Sequence, residues 1–108
     1  MTAETPVLDT LADMTTVSVQ NGSLAPREAM LARIAALIAV DAPPASYLAN
    51  GAVAADLGLT ADDVQDVMIA VAPVVGTAKV VSASGNILKS LGFVIAAAES
   101  DMADGAPL

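Results

Sequence analysis

Apolar side chains recur at helical spacing through most of this chain, and the stretch after Pro26 shows the pattern best. Its four main apolar positions lie on one helical face: Met30, Ile34, Leu37 and Ile38. Pro26 suits the first helical position, where its missing N–H removes no hydrogen bond. Pro43 disfavours helix in the residue before it, so we expect this helix to end ahead of Pro43.

Two further helices follow between residues 44 and 76. The first is expected from Pro44 to Leu57, with Gly58 as its C-terminal cap and an inward face of Leu48, Ala52 and Ala55. The second begins after Thr60, which forms a capping box with Asp63 three residues later. Its inward face is Val64, Val67, Met68 and Val71.

The remaining stretches are less regular. A short helix is expected from Pro6, followed by a β-branched connector, "TTVSVQNGS", that ends in an Asn-Gly turn signal. The stretch from Thr77 to Gly92 has helical spacing, and Gly85 within it suggests close packing or a kink. "FVIAAAE" favours a last short helix. The pattern predicts one all-α domain of five or six helices: residues 1–23 form an N-terminal helix and connector, 24–99 the core, and 100–108 a flexible acidic tail.

The composition predicts self-association. Hydrophobic residues make up 56% of 108 residues, aromatic residues only 2%, and the mean hydropathy is +0.68. A domain of this length buries roughly two-thirds of the surface of its unfolded chain. Because so much apolar surface cannot all be buried within one copy, we expect a homo-oligomer.

The absent residue types and the charge exclude several functions. The chain has no Cys and no His, which removes thiol chemistry, the commonest general base and the commonest metal ligand. We therefore expect no metal and no cofactor. A net charge of −8 opposes binding to nucleic acid or to anionic membranes. No secretory signal or membrane span is evident in the sequence, so we expect a cytoplasmic protein of bacterial type.

From Leu24 onward the chain resembles the carboxymuconolactone decarboxylase-like family, which includes the alkylhydroperoxidase D proteins. The residues that carry the resemblance are "LAPREAMLARIAALIAV" and "LANGAVAADLGLTADDVQDVMIAVAPVVGTAKVV", within a match of about 65 residues. They reproduce the family's Pro-capped helix, the helix that ends in Gly, the Thr-capped helix and an A-P-x-x-G turn. The resemblance implies an all-helical bundle that assembles as trimers or hexamers.

The same resemblance places the family's redox residues on positions that have lost them. The two Cys positions fall on Pro43 and Ser46, the His position on Asn50 and the Glu position on Leu31. Peroxide reduction needs a thiolate that attacks and a second thiol that resolves the product. Without them, we expect no peroxidase activity, and decarboxylation through a His is also in doubt.

Three hypotheses remain open. The first is a homo-oligomer that binds a small molecule in the family's pocket, with Ser46, Tyr47, Asn50 and Lys79 as candidate binding residues and no catalytic residue assigned. The second is a non-thiol lyase or isomerase assisted by Lys79 or Arg33. The third is a structural oligomer that acts through protein partners. Lys79 also belongs to a polar stripe with Ser82, Asn86 and Lys89, which is typical of a solvated helix face.

Overall fold

A computed structural model describes the backbone of residues 5–105 and the side chains of residues 5–91. The described chain folds into five helices with no strand between them, which confirms the all-α prediction. The helices are α1 (Pro6–Asn21), α2 (Pro26–Ala39), α3 (Pro44–Asp56), α4 (Ala61–Val75) and α5 (Thr77–Gly105). None of the described helices is both long and apolar enough to cross a bilayer.

The core lies where α2 packs against α4 and α3 packs against α5. The predicted apolar face of α2 supplies its centre, with Met30, Ile34 and Ile38 buried and Ile38 fully so. Val67 of α4 and Ala83 of α5 also belong to this cluster. Burying one Ile side chain stabilises the fold by roughly 1.5–3 kcal/mol, so the α2 face is a main source of stability.

The start of α4 has the predicted capping box. The Asp63 backbone N–H donates to the Thr60 hydroxyl at 3.2 Å, and the Thr60 backbone N–H donates to the Asp63 carboxylate at 2.8 Å. Arg27 of α2 forms an ion pair with the same carboxylate at 2.9 Å. The Thr60 backbone bond, followed by the Arg27 contact, holds the pKa of Asp63 below its ordinary value.

The turn between α2 and α3 is fastened from α5. Asp41 in this turn adopts a left-handed conformation with φ of 56°, which non-glycine residues rarely occupy. Three α5 side chains donate to the turn: Lys79 Nζ to the Ala39 carbonyl (2.8 Å), Ser82 Oγ to the Asp41 carboxylate, and Asn86 Nδ2 to the Ala42 carbonyl (3.1 Å). Three of the four residues in the polar stripe of α5 therefore hold this turn in place. The Lys79 ammonium also complements the negative end of the α2 dipole.

The expected connector after the first helix is wrong, because residues 15–21 continue α1 to Asn21. β-branching lowers helix propensity only slightly, and within α1 the Thr15 and Thr16 hydroxyls donate to the Leu11 and Ala12 carbonyls, each at 3.1 Å. The Asn-Gly signal marks the end of this helix. α1 has no buried residue, and its backbone lies apart from the backbones of the other described helices.

At the other end, α5 runs without interruption to Gly105, so no separate last helix forms. The first part of the expected flexible tail, residues 100–105, belongs to this helix, and residues 106–108 lie outside the described residues. The prediction of close packing at Gly85 is also wrong within the single chain, since a Cβ added there would meet no heavy atom within 4 Å.

Candidate functional site

A pocket of about 520 Å³ opens beside the core, with walls from four helices. Ile34 and Leu37 of α2 line it, and α3 supplies the most lining residues. Val64 near the start of α4 and Ile87 of α5 close the remaining sides. Its volume falls within the 300–1,000 Å³ that is typical of small-molecule sites.

The expected inward face of α3 borders this pocket rather than the packed core. Leu48, Ala52 and Ala55 are exposed, Leu48 by 40%, so their assignment to the core is wrong. All three line the pocket. The sequence pattern predicts that these three residues share an apolar face, but the space that this face borders is open. The buried residue of α3 is instead Tyr47, one position earlier.

Tyr47 joins the core to the pocket. It is 8% exposed, it belongs to the buried cluster, and it lines the pocket. Its hydroxyl is the one buried side-chain polar atom without a hydrogen-bond partner among the described residues. Burial, and secondarily the negative charge of Asp41, raises the pKa of Tyr47 above its ordinary value of 10.0. The hydroxyl therefore stays protonated near neutral pH.

Asn50 lies one helical turn after Ser46 on α3. Its side-chain amide donates to the Ser46 carbonyl at 2.9 Å, which fixes the orientation of the Asn50 side chain. Asn50 lines the pocket, whereas Ser46 is half-buried and does not. Among the predicted binding residues, the structure therefore brings Tyr47 and Asn50 together at the pocket and leaves Ser46 behind them.

Lys79 lies away from this pocket, with its ammonium bonded to the α2 C-terminus. Arg33 also faces elsewhere: its guanidinium donates to the Ser18 hydroxyl of α1 at 3.2 Å. Arg33 lines a second, more open cleft of about 300 Å³ under α1, which it shares with Asn50. Neither cation reaches the larger pocket.

Two polar residues of the pocket were missed from the sequence. Ser90 of α5 is buried and donates to the Ile87 carbonyl at 2.7 Å, and Thr60 lines the pocket from the start of α4. Ser90 falls next to the expected apolar position Leu91, and this neighbourhood was the one available signal. Thr60 was noted as a cap, but its place beside α3 depends on the packing of α4 against α2.

The sequence of this helical chain matches a known protein family. A model of the carboxymuconolactone decarboxylase family matches residues 5–86, which is most of the chain. The chain belongs to this family. The match begins at α1, upstream of the residues that carried the resemblance in the sequence. No curated protein and no solved structure matches the chain.

The first turn of α3 carries positions onto which the resemblance to the redox members of the carboxymuconolactone decarboxylase family places their Cys residues. The positions that resemble the redox family's two Cys are Pro43, the N-cap of α3, and Ser46 in its first turn. The position that resembles its His is Asn50, on the pocket wall. The chain has no sulfur and no imidazole at the positions that the resemblance indicates.

Proposed function

We propose that this chain is a homo-oligomer that binds a small molecule in the pocket beside Tyr47 and Asn50, and that it has no thiol peroxidase activity. The observation that carries the proposal is a mainly apolar pocket of about 520 Å³, which has the size of a small-molecule site and is lined by the half-buried Asn50 as a polar group.

The described residues expose many large apolar side chains, and apolar surface left outside a core normally marks an interface.

The apolar side chains of α1 supply a surface for this contact. Six are at least 51% exposed: Val7, Leu8, Leu11, Met14, Val17 and Val19. Trimers or hexamers are the assemblies that the family resemblance favours.

Ligand binding is tested with the neutral fluorescent probe N-phenyl-1-naphthylamine. We expect saturable binding that falls strongly in Gly51→Leu, because Gly51 lines the pocket and a Cβ there meets open space. Ala49→Leu is the matched control, since Ala49 is exposed on the same helix and does not line the pocket. Equal binding by both variants would place the probe elsewhere, and absence of probe binding in the wild type would contradict the proposal.

Assembly is tested by size-exclusion chromatography with light scattering. Leu11→Asn should shift the protein toward smaller species, because it places an amide on the apolar face of α1. Gln20→Asn, on the opposite face of the helix, should leave the mass unchanged. A wild-type protein that is monomeric at micromolar concentration would refute the oligomer.

A structural oligomer that acts through protein partners is the second candidate. It is favoured by the apolar side chains that α5 also exposes, such as Val81 at 64% and Leu88 at 67%. The lyase hypothesis has less support, because neither Lys79 nor Arg33 lines the pocket. If assembly requires α1 but no probe binds, the structural candidate replaces the binding one.

A further inference from the structure

The pocket has no charged side chain in its described lining, since none of those residues is acidic or basic. Arg33 lines the neighbouring cleft and donates to Ser18, and the Lys79 ammonium is bonded at the end of α2. The start of α4 could attract an anion, but Asp62 and Asp63 already place two carboxylates in its first turn. A carboxylate that entered the pocket would lose hydration and gain no counter-ion, so the lining favours a neutral ligand.

The three hydroxyl groups of the described lining are engaged or enclosed. The Thr60 hydroxyl accepts from the Asp63 N–H and donates to the Asp63 carboxylate, each at 3.2 Å. Ser90 is buried, and its hydroxyl donates to the Ile87 carbonyl at 2.7 Å. The Tyr47 hydroxyl has less than 1 Å² of accessible surface, so a ligand in the pocket does not reach it. These hydroxyls therefore contribute little to recognition of a ligand.

Asn50 differs from these residues because half of its hydrogen-bonding capacity is unused. It lines the pocket and is half-buried, and one N–H of its amide donates to the Ser46 carbonyl at 2.9 Å. An amide side chain has two N–H donors and one carbonyl acceptor. The second N–H and Oδ1 have no partner among the described residues, and the bond to Ser46 fixes the plane in which both lie.

The rest of the lining determines the body of the ligand. Apart from Asn50 and the three hydroxyl residues, every described lining residue is aliphatic or glycine. The volume equals that of roughly 17 waters in the liquid, which is enough for a medium-length chain or a small ring system. A complementary ligand is therefore mainly hydrocarbon and has both a donor and an acceptor at one end.

We propose that the ligand is a neutral, mainly hydrocarbon carboxamide, whose N–H donates to Asn50 Oδ1 and whose carbonyl oxygen accepts from the free Asn50 N–H. A carboxamide holds its donor and acceptor on two atoms of one plane, as the Asn50 amide does. An ester or a ketone has no donor and would leave Oδ1 unpaired when the ligand displaces water. This inference rests on the proposed function, since it specifies the ligand of the same pocket.

The test uses three eight-carbon competitors of N-phenyl-1-naphthylamine: octanamide, N,N-dimethyloctanamide and octanoate. The dimethyl compound keeps the amide carbonyl but has no N–H, and octanoate carries a charge. Each is measured on the wild type and on Asn50→Leu, so that differences in hydration between the compounds cancel in the comparison of the two proteins. Ala49→Leu is the control for a leucine on the same helix outside the pocket.

Asn50→Leu should weaken octanamide about ten-fold or more, because two hydrogen bonds are lost, and N,N-dimethyloctanamide only about three-fold, because one is lost. Probe binding should persist, since leucine keeps the wall apolar. On the wild type, octanoate should bind at least about ten-fold more weakly than octanamide. If Asn50→Leu loses probe binding, Asn50→Ala, which adds no bulk, is read by the same comparison.

The position of the ligand needs a separate control, because Asn50 also lines the cleft under α1. Gly51→Leu fills only the pocket and should weaken octanamide strongly. Thr15→Leu fills only the cleft and should leave octanamide binding unchanged. The reverse result would place the carboxamide in the cleft and would overturn the inference.

The remaining outcomes separate the ligand class from the proposed function. If both amides lose equal affinity in Asn50→Leu, or if octanoate binds the wild type as tightly as octanamide, the assigned class is wrong. If the probe binds but no competitor displaces it, the class is also wrong, while the pocket remains a binding site. If the probe does not bind the wild type, the proposed function itself fails.

Discussion

Replacing Tyr47 by Phe should stabilise the free protein, which is the opposite of the usual effect at a buried tyrosine. Where a buried hydroxyl is hydrogen-bonded, its removal costs roughly 0.5–1.5 kcal/mol. Here the hydroxyl is buried without a partner, and an unsatisfied group costs roughly 1–3 kcal/mol. The apolar ring, which is 8% exposed with its residue, is unchanged in the variant.

The magnitude follows from two opposing effects. Removal of the orphan hydroxyl relieves the desolvation cost, while the space left by one oxygen costs only a few tenths of a kcal/mol at about 24 cal/mol per Å³. We expect a net gain of about 1 kcal/mol in the free energy of unfolding. For a domain of this size, that corresponds to a rise in Tm of roughly 4–8 °C.

The assay is urea and thermal denaturation of both proteins at one fixed concentration, because assembly makes Tm depend on concentration. Ser90→Ala is the matched control: it removes a buried hydroxyl that does have a partner, the Ile87 carbonyl. Its lost hydrogen bond and its gained helix propensity should leave stability within about 0.5 kcal/mol. A Tyr47→Phe variant that is less stable than the wild type would refute the account of the orphan hydroxyl.

The same variant should show a distinct pH dependence. Burial raises the pKa of Tyr47 above 10.0, so the unfolded chain loses the tyrosine proton first as pH rises. The folded protein then binds more protons than the unfolded chain, and wild-type stability falls from about pH 10 up to the folded-state pKa. Tyr47→Phe has no such loss, so its advantage should widen above pH 10. A constant or narrowing difference would contradict the raised pKa.

Three further predictions concern the scaffold and its chemistry. Gly51→Ala should stabilise the protein by about 0.5–1 kcal/mol, because Gly51 is helical with open space at Cβ, whereas Gly58→Ala should destabilise it because φ is 79° there; urea denaturation distinguishes the two signs. Thr60→Ala should lower the free energy of unfolding by about 1 kcal/mol in the same measurement, because the helix cap is lost. In the wild type the pKa of Asp63 is lowered, so the stability of the folded protein should fall as the pH drops below about 3.8. A peroxidase assay with an alkyl hydroperoxide and a dithiol reductant should show no turnover, since the chain has no Cys; measurable turnover would overturn the argument from the absent thiols.

Local signals predicted the helix boundaries well. Pro26 and Pro44 start helices as expected, and the capping box of Thr60 and Asp63 forms as the sequence indicates. These signals act within one turn of chain, so they do not depend on tertiary structure. The prediction for residues 15–21 was wrong because the low helix propensity of β-branched residues is a weak effect, which the rest of α1 overcomes.

The pocket could be predicted only in part. The sequence placed Tyr47 and Asn50 near it through the family resemblance, but periodicity could not separate a packed face from one that borders open space. Leu48 is the example: its spacing suits a core position, yet it faces the pocket and is 40% exposed. The role of Lys79 depends on a contact 40 residues away in sequence, and no local pattern contains it.

The fastening of the α2–α3 turn by α5 has a practical consequence for engineering. An insertion near Asp41 would displace three bonded groups at once and would shift the α3 N-terminus that leads to Tyr47. Residues 22–25, between α1 and α2, are all exposed and lie beside a helix with no buried side chain. Inserted peptide tags therefore belong at residues 22–25, where they leave the bonds of the α2–α3 turn intact.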